Sequence, residues 1–259
     1  MKKQNIKYLV FLMFSPLLAF AQVENVNGID KYFSKNEKTA FERALVHQNT
    51  FYNRIFPDLV VDFSELQIFV TNDVNELGNI IIQKKISGYY SSSDRKLVIC
   101  KTEKFKDTYL QTAFHELSHA LLHLYSDDRF DQIHPWLNEG LASYLQEMTY
   151  RSKKITHKKN NYMIARVQTL LSMRDIDLVD FVNWNHQRFA KESFSQEGYG
   201  YAVSYCMALL LMTNKDEKST YSLFRILIEE DISTIEAFDK YYEGGFSQFE
   251  KDFVNTYSK

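Results

Sequence analysis

The segment His115-Glu116-Leu117-Ser118-His119 lies inside Asp107–Leu124, a run without proline or glycine in which Leu110, Phe114, Leu117 and Leu121 recur at spacings of four, three and four. That recurrence is the core-facing stripe of an amphipathic helix. Each residue advances about 100° around a helix, so His115 and His119 border the stripe and face a cleft instead of the core. Residues four apart share a face with Cβ atoms about 5–6 Å apart, which lets the two imidazoles converge on one ion. A plain alternative is a helix whose two histidines are merely half-buried; the five-residue pattern is short enough to recur by chance, so its surroundings decide.

A zinc ion held by three protein ligands keeps a fourth position open, where a bound water falls to a pKa of about 7 and becomes a nucleophile. Glu116, beside the first histidine, is placed to take that water's proton. The third ligand must come from elsewhere, because Leu122 and Tyr125 stand where the extended HExxHxxGxxH pattern of the metzincins needs Gly and His. Twenty residues after His119 comes Glu139, in Trp136-Leu137-Asn138-Glu139-Gly140-Leu141-Ala142. Pro135 suits the first position of a helix, and Trp136, Leu137, Leu141, Ala142 and Leu145 continue it. Glu139 is the leading third ligand, with His134 and Asp131 as substitutes; its other reading is a carboxylate that stabilises a helix N-terminus.

His115-Glu116-x-x-His119 together with Trp136-x-x-Glu139-Gly140-x-Ala142-x-Tyr144 resembles the gluzincin metallopeptidases, in particular the small bacterial peptidase MA-like domains. Residues 60–210 follow that layout. The resemblance implies a zincin-like fold, His115, His119 and Glu139 as ligands of one Zn2+ per chain, and Glu116 as general base. It also implies a tyrosine that stabilises the oxyanion: Tyr201 aligns best, and Tyr199 and Tyr205 are alternatives beside ordinary packing roles. The chain departs from the thermolysin-like pattern at Ser143, where an aspartate would orient a zinc histidine. Orientation of the imidazoles then falls to another group or to a weaker hydroxyl bond. In such peptidases an edge strand beside the zinc helix binds extended substrate by strand addition, and residues 86–90 or 96–100 are the two stretches able to supply it, or else form an ordinary internal pair.

The remainder bounds the setting. Lys2, Lys3 and Lys7, the apolar run Tyr8–Phe20 and Ala19-Phe20-Ala21 predict a cleavable signal peptide over residues 1–21. The run is short of the roughly twenty residues of a membrane span. Without those lysines, 28 basic residues face 33 acidic ones, a formal charge of −5, so nucleic acid is not an expected partner. Low-complexity segments and repeats are absent. Cys100 and Cys206 each sit among apolar residues, where free thiols behave as small buried hydrophobes; a disulfide is the alternative in an oxidising compartment. The basic stretch Arg151, Lys153, Lys154, Lys158 and Lys159 reads as a solvated connector between lobes.

The expected architecture is α+β and zincin-like: a helix near 36–55, strands at Leu66–Thr71 and Ile80–Lys85, and a hairpin from Gly88–Tyr90 to Lys96–Cys100 through a Ser91–Arg95 turn. A zinc helix and a glutamate helix close the 22–150 lobe, and an all-helical lobe spans 151–259. Tyr201–Met212 is expected as a buried helix, too short to cross a bilayer. The expected function is peptide-bond hydrolysis in a secreted or periplasmic protein, with a peptide or protein as substrate. The absence of an acidic or tryptophan-glycine signature for a free amino terminus counts against an aminopeptidase. One rival is a non-catalytic zinc domain of the same fold acting as a binding module; another is a metal-free helical scaffold.

Overall fold

Strand-forming residues cluster in three short stretches before residue 101, and everything after residue 160 carries helical periodicity. The computed structural model, which describes residues 23, 25–77, 86–151, 154–195, 198–213 and 216–258, follows that division. In chain order the elements are β1 (Asn25–Asn27), α1 (Ile29–Tyr32), α2 (Lys35–Ile55), β2 (Gln67–Thr71), β3 (Gly88–Ser91), β4 (Lys96–Cys100), α3 (Tyr109–Ser126) and α4 (Pro135–Gln146). They continue as β5 (Met148–Arg151), β6 (Lys154–His157), α5 (Asn161–Met173), α6 (Leu178–Phe181), α7 (His186–Ser195), α8 (Tyr199–Thr213), α9 (Glu217–Glu229), α10 (Thr234–Tyr241) and α11 (Gly245–Tyr257). The protein is therefore mixed α+β, with a small mixed sheet and a predominantly helical body. The expected signal peptide over residues 1–21 and the expected strand Ile80–Lys85 lie outside the described residues.

The main sheet has the order β1-β2-β4-β3, parallel except for the antiparallel β3/β4 pair. Alternation along the strands sends Ile68, Val70, Leu97 and Ile99 into the main core, while Val98 and Cys100 join Phe69, Ile86, Tyr89 and Phe105 on the opposite face. Being covered on both faces explains why β4 reads as a nearly continuous apolar run. Of the two stretches that could supply a substrate edge, residues 96–100 are internal, flanked by β2 and β3, and Gly88–Ser91 form the edge of the sheet among the described residues. Strand β1 was not expected: three residues of Asn-Val-Asn carry no strand signal, and only parallel pairing with Gln67–Phe69 orders them.

One core runs through both halves of the chain, from Val23 to Tyr257. Helix α2 starts on a capping box between Ser34 and Glu37 and packs along α3, where Gln48 Nε2 donates to the Phe114 carbonyl (2.8 Å) and the Tyr52 and Ser118 hydroxyls share a hydrogen bond (2.6 Å). Trp136 is buried and donates its indole N–H to Thr234 Oγ1 (3.0 Å), tying α4 to α10. The basic stretch after α4, expected as a solvated connector, contributes to two strands, so 151–259 is not all-helical; Lys158 and Lys159 beyond them are exposed. Met148–Arg151 and Lys154–His157 pair antiparallel, joined by the Thr149 and Thr156 hydroxyls (2.7 Å) and anchored by the His157 ring stacked on Tyr144 (4.2 Å). The Thr149–Thr156 pair across the two strands outweighs the coil preference of the neighbouring lysines. Cys100 and Cys206 are buried free thiols. No helix among the described residues is long and apolar enough to cross a membrane.

Candidate metal centre

Helix α3 distributes its side chains over three neighbours, as its 3.6-residue period requires. Phe114, Leu117 and Leu121 enter the core. Thr112, Glu116 and His123 meet strand β3: the Thr112 and Ser87 hydroxyls lie 2.6 Å apart, Glu116 Oε2 accepts the Tyr90 backbone N–H at 2.9 Å, and Tyr90 Oη bonds His123 Nδ1 at 2.8 Å. His115 and His119 turn toward α4, their rings 4.8 Å apart and nearly perpendicular. A glycine at position 88 permits the close approach of β3, since a Cβ there would stand 2.7 Å from the Val98 carbonyl oxygen and 3.2 Å from Thr112 Cγ2.

Glu139 meets both histidines. His115 Nε2 is 3.1 Å and His119 Nε2 3.6 Å from Glu139 Oε2, and ligating atoms of the three residues all lie within 4.8 Å of one another. Three atoms at about 2.1 Å from a tetrahedral ion lie roughly 3.4 Å apart, and the two histidine–glutamate separations fall on either side of that spacing. His134 and Asp131 are not part of the group. His134 sits at the N-cap of α4 with Nε2 aimed at the Ile232 carbonyl (3.5 Å), and Asp131 is exposed.

The outer nitrogens settle the orientation of both rings. His115 Nδ1–H donates to Gln146 Oε1 (2.9 Å), and His119 Nδ1–H donates to Asn138 Oδ1 (2.7 Å). An amide oxygen only accepts, so each Nδ1 carries a proton, and Nε2 is the nitrogen turned toward Glu139, where a cation would take the place of its proton. These two amides, and not the Ser143 hydroxyl, meet the imidazoles; that hydroxyl is buried and has no partner among the described residues. Sequence reasoning missed Gln146 and Asn138. Gln146 lies seven residues after Glu139, two turns along the same helix face, and that spacing was a usable signal.

The electrostatics favour positive charge at the centre. Burial alone would raise Glu139, yet the His119 and His115 imidazoles hold it far below the usual carboxylate range. Burial likewise works against a charge on His119, and the adjacent Glu139 carboxylate, with smaller help from Glu116 and Asn138, overrides it and raises that imidazole to about 9. A divalent cation would occupy the place of that proton.

The three tyrosines separate by position. Tyr201 lines the cleft beside His115 and Glu116, edge-on to Phe189 at 5.5 Å. The Glu139 charge, then burial, pushes its phenol up, so it stays a hydrogen-bond donor. Tyr199 stacks on Trp184 (5.4 Å) and donates to the Asp175 carbonyl (3.4 Å). Tyr205 is buried and accepts the Asn160 N–H (2.8 Å). Gly140 brings α4 and α8 together: a Cβ there would stand 2.7 Å from the Ser204 carbonyl oxygen. Comparison of the chain with protein-family models, with curated proteins and with solved structures finds no match in any of the three.

Proposed function

We propose that the chain is a zinc-dependent peptidase of the gluzincin type, built on a zincin-like arrangement and exported to the periplasm or beyond through the segment 1–21. The observation that carries this reading is the convergence of His115, His119 and Glu139, with both imidazoles turned inward by amide acceptors and a further carboxylate, Glu116, on the cleft side of the same helix. A zinc ion in this trio supplies Lewis-acid polarisation of a carbonyl and a water acidified to a pKa of about 7.

The chain's own groups do the rest. Glu116 takes the proton of the attacking water and delivers it to the leaving nitrogen. The Tyr201 phenol, kept protonated, donates to the oxygen on which charge develops. Asn138 and Gln146 hold the imidazoles in one tautomer, and Tyr90 and Tyr89 wall the cleft. The water oxygen bonds to the carbonyl carbon, the C–N bond breaks, and the products are a carboxylate and an amine.

One contact favours the rival, a non-catalytic zinc module: Glu116 already has a structural partner in the Tyr90 N–H. Metal analysis and substitution separate the two. The peptidase reading expects about one zinc per chain, lost or weakened in Glu139→Ala, with hydrolysis abolished in Glu116→Gln while zinc is retained. Equal hydrolysis in Glu116→Gln would rule the mechanism out. Absence of zinc after incubation with it would remove the case for an enzyme.

A further inference from the structure

The cleft extends to both sides of the trio. One part, about 250 Å3, passes Tyr90, Ser92 and Phe130. The other, about 400 Å3, passes Ser87, Gly88, Phe105, Thr108 and Thr112. Tyr89, His115, Glu116 and Tyr201 line both, so the parts meet where the reaction is placed.

Strand β3 forms a wall along this path. The Cys100 N–H donates to the Ser87 carbonyl (2.7 Å), and in the antiparallel register Gly88 faces Ile99 and Tyr90 faces Leu97. Hydrogen-bonded and non-hydrogen-bonded pairs alternate in such a ladder. The backbone groups of Gly88 and Tyr90 therefore point away from β4, as the Tyr90 N–H to Glu116 bond shows directly. Two outward residues spaced by about 6.8 Å match the repeat of another extended strand, which would meet Gly88 and the Tyr90 carbonyl, the Tyr90 N–H being held by Glu116.

Charge decides which part of a polypeptide lies there. Among the described residues, the ionisable side chains lining either part that carry charge at neutral pH or bind metal are His115, Glu116, His119 and Glu139. All four are committed to the trio or to the base. Among the described lining residues a terminal ammonium would find no free carboxylate and a terminal carboxylate no cation, and a charge withdrawn from water without a partner is disfavoured. The walls of the wider part offer hydroxyls from Ser87, Thr108 and Thr112 and the Phe105 ring.

We propose that this site takes an internal, extended stretch of a longer polypeptide, with chain leaving the cleft in both directions, and that the residue entering the wider part carries an uncharged side chain. The protein is then an endopeptidase, a conclusion that rests on the peptidase reading. Hydrolysis adds one water across the bond and leaves two shorter chains.

The test uses the zinc-loaded chain purified after export and peptides of about ten residues, roughly 33 Å extended. Each is prepared with free ends and with acetyl and amide ends. Cleavage by the wild-type chain is read by product mass, and binding by the zinc-loaded Glu116→Gln variant by fluorescence anisotropy. The expected result is cleavage of both versions at the same internal bonds with rates within about threefold. A Lys or Asp on one side of the cut should slow it about tenfold, and Thr112→Asp should restore the Lys peptide. Stepwise trimming of free-ended peptides, with blocked ones intact, overturns the proposal. Equal binding of both versions without cleavage by the wild-type chain overturns the hydrolytic reading alone and supports recognition of an internal segment; neither binding nor cleavage overturns both.

Discussion

Tyr90 gives its backbone N–H to the Glu116 carboxylate at 2.9 Å while its phenol bonds His123 Nδ1 at 2.8 Å, so one strand residue is fixed at both ends to the helix that carries Glu116, the proposed base. His123 is held in turn by stacking on Phe130 (4.6 Å). The second attachment restrains the first, because a strand edge held by side chains on one helix cannot drift from it. His123→Ala should lower kcat about three- to tenfold with zinc content unchanged, as expected when a base is loosened and no ligand is lost. His123→Gln, able to hydrogen-bond the phenol, should recover part of the loss. Equal kcat in all three proteins would show that the clamp does not serve the base.

The amide acceptors behind the histidines should matter for metal affinity more than for folding. Gln146→Leu leaves His115 Nδ1–H without its acceptor, and Asn138→Leu does the same to His119. Each is expected to weaken zinc binding about 10- to 100-fold, measured by competition with a chelator. Ser143→Ala is the internal control: its hydroxyl has no partner among the described residues, so zinc affinity should stay within about twofold of wild type. A larger effect from Ser143 than from Gln146 would reverse the assignment.

Helix α3 was legible because an uninterrupted stripe of Leu110, Phe114, Leu117 and Leu121 fixes both its period and the side on which His115 and His119 emerge. Glu139 was legible because Pro135 starts its helix. What sequence could not settle depends on pairing between distant segments. Which of residues 86–90 and 96–100 is the edge follows from β2 docking on β4, and no local signal encodes that. Tyr201 parts from Tyr199 and Tyr205 only through the rotation of α8, which is set by its packing on α4, α5 and α7. The pairing of Met148–Arg151 with Lys154–His157 was hidden by the neighbouring lysines, whose charge outweighed two threonines in a local reading.

Glu37 should mark the acid limit of the fold. Its carboxylate accepts from Lys101 Nζ (2.7 Å), the Tyr109 hydroxyl and the Ser34 N–H (2.6 Å), joining the starts of α2 and α3 to the end of β4. Burial opposes the charge, and these hydrogen bonds outweigh it and lower the group from 4.5 to about 2. A depressed folded-state pKa contributes stability above the unfolded value that is lost as pH falls through the folded one. Glu37→Gln is thus expected to cost about 1–2 kcal/mol at pH 7, discounted for the side chain's partial exposure. The difference should shrink between about pH 4.5 and 2. Urea unfolding at both ends of that range measures it, and a gap independent of pH would assign the effect to packing.

Gly140 lies next to Glu139, and its missing side chain sets the distance between the metal centre and Tyr201. A Cβ at this position would stand 2.7 Å from the Ser204 carbonyl oxygen, a backbone atom of α8 that has no rotamer by which to yield, and 3.5 Å from Ala208 Cβ. Gly140→Ala must therefore push α8 away from α4 or shift α4 with its glutamate. In solvent an alanine for glycine exchange would favour a helix by about 1 kcal/mol; here overpacking of about 1–3 kcal/mol opposes that gain, and the net change should be destabilising. Because Tyr201 rides on α8 and Glu139 on α4, the variant should also lose turnover beyond what its lowered Tm explains, at temperatures where it remains folded. Zinc content separates the two displacements. Retained zinc with reduced kcat means α8 moved and carried the phenol out of reach, whereas reduced zinc means α4 moved and carried the ligand. An unchanged Tm would show that the two helices do not meet as closely as the Gly140–Ser204 contact requires.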